Sequence, residues 1–422
     1  MPGESTRPKQ DAPLPGAWSA LALLLGINLF NYIDRQILAA VEPEIRSAFF
    51  APNDINAMAK TGGLATAFLF VYMFSAPLLG WLADRMSRWL LIGVSVMLWS
   101  LASGASGLAT TFTMLFATRL FVGIGEGAYG PAAPTILSDL FSIKIRGRVL
   151  AYFCAAIPVG SALGYVLGGL IGTHLGWRWA FYLVTPPGLL LGVICLFMRD
   201  PRDRLAVRTN RERMNWKQVG NLLRTRSYVI NTIAQTAMTF ALGGLAFWIP
   251  GYLQYRHQPP STRIIFGGIT VVAGLISTIL GGIAGDRLRK RVPGSYFLVS
   301  GIGMLLAFPF TVGMVFTPFP LAWVMLFFAV FFVFFNTGPS NTAIANVALP
   351  SVRATAFALN IFIIHFFGDA GAPPLIGFIA GHTNLDIAFL FISVTMLIAG
   401  VVWLAGMKYL ARDTAVVEEA TT

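Results

Sequence analysis

Charge is the scarcest feature of this sequence. Only 11% of its 422 residues are Asp, Glu, Lys or Arg, against 56% hydrophobic residues. Globular domains carry charge on roughly 25% of positions, because a folded surface must be solvated. The deficit runs through the whole chain and excludes a soluble globular fold. It excludes nucleic-acid binding too, despite a net charge of +12, since a basic recognition surface needs a soluble fold on which to cluster. Cysteine is nearly absent: Cys154 and Cys195 both lie in apolar runs, so no disulfide framework is expected. The four histidines, at 174, 257, 365 and 382, are too dispersed for a metal cluster. With no H-E-x-x-H, no G-x-S-x-G and no phosphate-binding P-loop, the chain is expected to hold no metal or cofactor and to catalyse no reaction.

What remains is apolar sequence in long uninterrupted runs. No charge occurs at 61–83, 89–118, 149–177, 227–255, 264–285 or 292–352. A helix crossing a hydrocarbon core about 30 Å thick needs about 20 such residues. The 61-residue run 292–352 is too long for one crossing, and Thr317-Pro318-Phe319-Pro320 breaks it as paired prolines do. The run 89–118 breaks near Gly104–Gly107. Twelve spans follow, at about 17–41, 57–83, 89–108, 112–138, 148–172, 178–198, 227–252, 262–284, 293–316, 320–346, 354–380 and 385–408. All are expected to be helical, since lipid offers no partner to an unpaired backbone. The fold class is therefore all-α integral membrane. Residues 1–16 are polar and proline-rich and are not expected to act as a cleavable signal.

Lys and Arg fix the expected orientation. With both termini on the cytoplasmic side, 23 of the 30 bases lie inside and five outside, leaving Arg35 and Arg119 within spans. The one long polar stretch, 199–226, follows span six. It separates two six-span halves, 1–198 and 227–422, as a cytoplasmic linker. The halves repeat one another. Gly80-Trp-Leu-Ala-Asp84-Arg85-Met-Ser-Arg88 after span two recurs as Gly282-Ile-Ala-Gly-Asp286-Arg287-Leu-Arg-Lys290 after span eight, and Ala180-Phe181 recurs as Ala388-Phe389. Parallel six-span repeats are an arrangement of secondary transporters.

Ionisable groups inside a span cost at least about 2.5–3.5 kcal/mol each, so each needs a reason. Asp34, Arg35, Arg119, Glu126 and Asp369 are such groups, with His365 a titratable companion one turn from Asp369. For His365 and Asp369 a local polar patch and a cavity role both stand open. Depth brings the first set together. Asp34 lies roughly 10 Å from the outer end of span one and Arg119 roughly 12 Å below the same face, with Glu126 two turns deeper. Polar residues in the second half, Gln235, Thr236 and Thr239 in span seven and Asn336, Thr337, Ser340 and Asn341 in span ten, are candidates for the facing cavity wall. Gly160, Gly164, Gly168 and Gly172 form a small-residue stripe on span five, expected to let a neighbouring helix approach closely. Gly125-Glu-Gly-Ala-Tyr-Gly130 spells a dinucleotide fingerprint, but that motif has meaning only between a strand and a helix.

The paired Gly-x-x-x-Asp-Arg loops and Arg119-Leu-Phe-Val-Gly123-Ile-Gly125 in span four resemble the major facilitator superfamily along nearly the whole chain. Within it, Asn31-Tyr32-Ile-Asp34-Arg35-Gln36 and Arg119 through Glu126 are similar to the spinster branch. The resemblance implies two pseudo-symmetric bundles, alternating access, and a monomer in a cell membrane carrying a lysolipid or sphingolipid-like amphiphile with protons. It implies that spans one and four line the cavity, with Asn31 and Tyr32 at its wall, Asp34 and Glu126 as proton carriers and Arg35 and Arg119 as their partners. Depth then permits an Asp34–Arg119 pair. It further implies that Asp84, Arg85 and Arg88, with Asp286, Arg287 and Lys290, form a cytoplasmic gate to which Arg146 and Arg353 contribute. Several branches share an Asn-Tyr-x-Asp-Arg opening, so a proton-coupled symporter of a small organic anion, such as a sugar acid, is the alternative. Tyr165 stands where the superfamily's antiporter motif has proline, which leaves direction open.

Overall fold

The computed structural model describes residues 13–83, 85–201, 216–349 and 352–421, and its regular elements there are all helical. Asp84, the side chain of Arg146 and half of the expected linker (202–215) lie outside the described residues. Nine passes are unbroken helices: Ala17–Ala40, Ala57–Ala83, Arg88–Gly107, Phe112–Leu140, Ile143–His174, Trp177–Leu196, Arg226–Tyr255, Thr262–Arg289 and Ser295–Phe316. The tenth joins Leu321–Phe335 to Thr337–Val347, the eleventh joins Arg353–Ile364 and Ala372–His382 through His365–Asp369, and the twelfth is Leu385–Thr421. Among the described residues, eleven of these passes are long and apolar enough to cross a membrane. The remaining one, Phe112–Leu140, has its apolarity diluted by Arg119, Glu126 and Asp139. These charges thus blur the hydropathy of the span that carries them.

The structure departs from the expected spans in three places. A short helix, Glu42–Phe49, fills the connection after span one. Span ten changes direction of register at Asn336, where two helices meet. Span eleven opens into a single π turn, His365–Asp369. Pro373 and Pro374 explain that opening, because neither can donate to the carbonyls one turn earlier. The Ala370 carbonyl freed in this way accepts instead from Thr66 Oγ1 of span two, at 2.5 Å. A broken backbone at membrane depth is satisfied by a neighbouring helix, as lipid requires.

Packing repeats between the halves. Span three lies on span six and, in the second half, span nine lies on span twelve. At equivalent positions of six and twelve, Ala180-Phe181 and Ala388-Phe389 are all fully buried. Span five lies along span one, and its glycine stripe makes the contact. A Cβ on Gly160 would stand 2.6 Å from the Leu29 carbonyl oxygen, and one on Gly164 2.7 Å from that of Ile33. Larger residues there would push the helices apart.

The two halves meet chiefly through span two on span eleven and span five on span eight. Gly62 faces the Pro373 carbonyl with 2.5 Å left for a Cβ, Gly381 lies against Ile55, and Tyr165 donates to the Ala246 carbonyl at 2.6 Å. Ile55, Gly62 and Gly381 lie near the ends of their spans farthest from the chain termini. The halves are closed together on that side.

Candidate functional site

Between the halves is a cavity of about 330 Å³. One wall carries Tyr32, Asp34 and Arg35 of span one with Arg119 and Glu126 of span four. The facing wall carries Thr239 of span seven and the His365–Asp369 turn. Between them the lining is apolar, with Leu38, Val122, Leu242, Phe247, Phe266 and Phe334.

Adjacent residues of span one point to different neighbours. Arg35 turns to span four, where Nη2 and Nε donate to one oxygen of Glu126 at 2.6 and 2.8 Å. Its guanidinium is bracketed by the rings of Tyr32, Phe68 and Tyr72, with centroids at 5.1, 4.8 and 5.3 Å. Rings at that range favour a cation through their quadrupoles. Glu126 is fully buried, whereas the Arg35 side chain keeps 22% exposure. The arginine is therefore the partner that a solute in the cavity reaches first.

Asp34 turns to span three and accepts a short hydrogen bond from Ser103. Arg119 donates to Ser106 at 2.6 Å and lies over the Phe181 ring at 5.3 Å. The permitted Asp34–Arg119 pair is thus replaced by two serine contacts. Depth arithmetic placed the two charges correctly along the membrane normal but left out the helix between them. Ser103 and Ser106 sit one turn apart on that helix and take both. Their spacing, with Ser100, was the available signal: three serines at intervals of three in an otherwise apolar span. Two acids and two bases are buried together, so the cluster balances in formal charge when all four are ionised, as a buried group of ions requires.

On the facing wall, His365 Nδ1 lies 3.0 and 2.9 Å from the two oxygens of Asp369. The π turn places both on the cavity lining, where they pair with one another. Thr239 also lines it. Thr236, Thr337 and Ser340 do not, and neither do four amides. Asn31 is buried beside Glu126, behind the wall. Gln235 donates to Ser340 Oγ at 2.9 Å and ties span seven to span ten. Asn336 donates to the Val333 carbonyl at 2.5 Å and meets Met304 Sδ, filling the break in span ten. Asn341 is exposed. The bonds of Gln235 and Asn336 thus run between or within the helices of the second half and not into the cavity.

Among the described gate residues, Arg85 and Asp286 bond within their own halves, and Arg88 bonds its own half and the start of the linker. Arg85 stacks on Trp81 at 3.7 Å and is exposed. Arg88 is buried, with Nη2 on Asp200 and Nη1 on Asp139, each at 2.7 Å. Asp286 accepts from the Tyr296 hydroxyl at 2.9 Å, while Arg287 and Lys290 are exposed and Arg353 opens span eleven. Asp139 and Asp200 were not singled out in the sequence, since charges at span ends are ordinarily solvated.

Two six-span halves around a charge-balanced cavity define a membrane transporter. The family model of the Major Facilitator Superfamily matches residues 24–371. Protein spinster of Drosophila melanogaster is 35% identical over 86% of this chain, which spans 62% of that protein's length. The sphingosine-1-phosphate transporter SPNS2 of Xenopus tropicalis is 32% identical over 99% of this chain and 86% of its own. In fold, the chain is similar to a bacterial homolog of the human lysosomal transporter spinster solved in an inward-facing, unoccupied conformation. That similarity has a TM-score of 0.78 at 20% identity and covers 97% of this chain and 99% of the other. The chain belongs to the Major Facilitator Superfamily and, within it, to the spinster proteins. It is a multi-pass membrane transporter and not an enzyme.

Proposed function

We propose that this chain carries a lysophospholipid or sphingoid phosphate by proton-coupled alternating access. The observation that carries the reading is the join of an accessible arginine to a long apolar surface in one cavity. Arg35 meets an anionic headgroup, and the Leu242–Phe247–Phe266–Phe334 surface meets the chain of the lipid. A relative named as a sphingosine-1-phosphate transporter supports this cargo class.

Arg35 and Glu126 supply the coupling in this reading. While Glu126 is ionised, its carboxylate occupies the guanidinium. A proton on Glu126 cancels the pair and would leave the half-buried Arg35 cation without its counter-ion, an unfavourable state. An anionic headgroup arriving at Arg35 restores the balance. Proton and headgroup therefore favour one another's binding, and that mutual preference is what coupled transport needs. Asp34 acts as the second proton carrier and Arg119 as its electrostatic neighbour.

The units that move are the halves 1–198 and 227–422, rocking as a monomer about the linker 199–226. In this reading the protein sits in the cell membrane with both termini in the cytoplasm, an orientation that the 23-to-5 distribution of bases supports. The Asp84–Arg88 loop and the Asp286–Lys290 end of span eight, with Arg146 and Arg353, then close the cytoplasmic side when the other side opens. Uptake of a lysophospholipid, a sphingoid phosphate and a sugar acid into proteoliposomes under an inward proton gradient tests the cargo. Accumulation of the lipids is expected. Accumulation of the sugar acid alone establishes instead a small-anion symporter, with Arg35 and Arg119 holding the carboxylate.

A further inference from the structure

The short helix Glu42–Phe49 lies where the halves are closed together, and its first turn carries two acids. They face different ways. Glu44 reaches into the second half, where Oε1 accepts from Arg263 Nη2 at 2.8 Å. Arg263 opens span eight and is 2% exposed. Its stem lies on Gly169 of span five, where an added Cβ would stand 3.1 Å from Arg263 Cβ. Glu42 faces its own half, accepting from Thr61 Oγ1 at 2.7 Å and Arg46 Nε at 3.1 Å. Its other oxygen points at Gly251 of span seven. One turn of helix thus touches spans seven and eight of the opposite half.

We propose that Glu44 and Arg263 form a latch, positioned by Glu42, that holds the halves together on the side away from the termini and must part for that side to open. This rests on the alternating-access reading above. An exposed ion pair would be too weak to matter. Here the cation is buried against Gly169, so it gains only from a partner that reaches it. When the halves separate, both groups return to water, and solvation offsets much of the lost attraction. A contact of that kind biases a two-state equilibrium without freezing it. Glu42 contributes by anchoring the helix to span two through Thr61, so that the neighbouring acid is aimed across the gap. Glu44 and Arg263 are positioning residues; neither lines the cavity.

The test uses the full chain in nanodiscs, with Cys154 and Cys195 replaced by alanine and spin labels on Ile55→Cys and His382→Cys. Both label sites are exposed and flank the closed contact. Wild type is expected to give a dominant short distance and a minor long one. Glu44→Gln and Arg263→Gln each raise the long-to-short ratio roughly tenfold, and the double substitution goes no further. The exchange Glu44→Arg with Arg263→Glu returns the ratio toward wild type, which a merely structural loss would not allow. Two populations in wild type whose ratio ignores these substitutions, or an exchange as disturbed as both singles combined, would overturn the latch alone. A single distance in wild type and every variant, with or without a proton gradient, would overturn the latch and alternating access together.

Discussion

Arg35 places two nitrogens on one oxygen of Glu126, at 2.6 and 2.8 Å, while Asp34, its neighbour in sequence, is bonded to Ser103. The two acids of the site are therefore held differently: Glu126 by a cation that the cavity reaches, Asp34 by a neutral hydroxyl. In the proposed function, Glu126 is accordingly the acid whose proton and whose partner's ligand would be linked.

Removing Ser103 or Ser106 tests the role of span three. Ser103→Ala takes a hydrogen bond from buried Asp34, and Ser106→Ala takes one from buried Arg119. Each is expected to cost about 1–3 kcal/mol, the usual penalty for leaving a buried polar group unsatisfied. A lower thermal midpoint of the purified protein in detergent is the readout, with Ser103→Thr retaining most of the stability. An unchanged midpoint for both alanine variants would show that other groups satisfy these charges.

Much of the molecule is legible in the sequence. The twelve passes come from the length of uncharged runs, because the bilayer sets one thickness for them all. The five charges within spans are legible for the same reason: they interrupt runs where nothing else does. What was not legible is direction around each helix axis. Asp34 and Arg35 are adjacent, so they diverge by roughly 100°, and the helix each one meets depends on packing. The π turn at His365 was hidden because Pro373 and Pro374 mark a break without saying how the freed carbonyls are satisfied. Glu42 and Glu44 lie in a connection between spans, where acids carry no signal of their own, and only packing brings Arg263, more than two hundred residues on, to Glu44.

The linker contact makes a separate prediction. Arg88 holds Asp200 and Asp139, with Asp200 itself 2% exposed. Arg88→Ala removes the guanidinium from a buried carboxylate and is expected to lower stability by about 3–5 kcal/mol. Lysine should recover only part of this, since a single ammonium cannot reproduce the fork that serves several acceptors. Thermal midpoints and detergent-extractable yield measure both.

Span contact on the closed side is testable through glycine. Gly62→Val brings a Cβ to within about 2.5 Å of the Pro373 carbonyl oxygen, closer than packed atoms tolerate. The halves must separate there. The Ile55–His382 label pair should shift toward its long distance, whereas Gly268→Val, which has open space around it, should leave the distribution alone.

Glu42 gives the closed side a pH dependence. Burial pushes its carboxyl above the ordinary range, while Arg46 on its own helix and the bond from Thr61 of span two pull it down; Glu44 raises it and Arg263 of span eight lowers it. A carboxyl whose value is raised in one state favours that state when protonated, and the preference fades as pH rises through the raised value. Opening the contact to water returns Glu42 toward its ordinary value. The short Ile55–His382 distance is therefore expected to gain population as pH falls toward the ordinary carboxyl range and to lose it on raising pH. Glu42→Gln should flatten that response; a response of equal size in the variant would assign it elsewhere.

Coupling through Glu126 is most directly tested by uptake of a lysophospholipid into proteoliposomes, with and without an imposed proton gradient, for wild type and Glu126→Gln. Wild type should accumulate lipid against its gradient, and Glu126→Gln should exchange lipid across the membrane without accumulating it. Gradient-driven accumulation by Glu126→Gln at the wild-type level would contradict the assignment of Glu126 as the coupling acid.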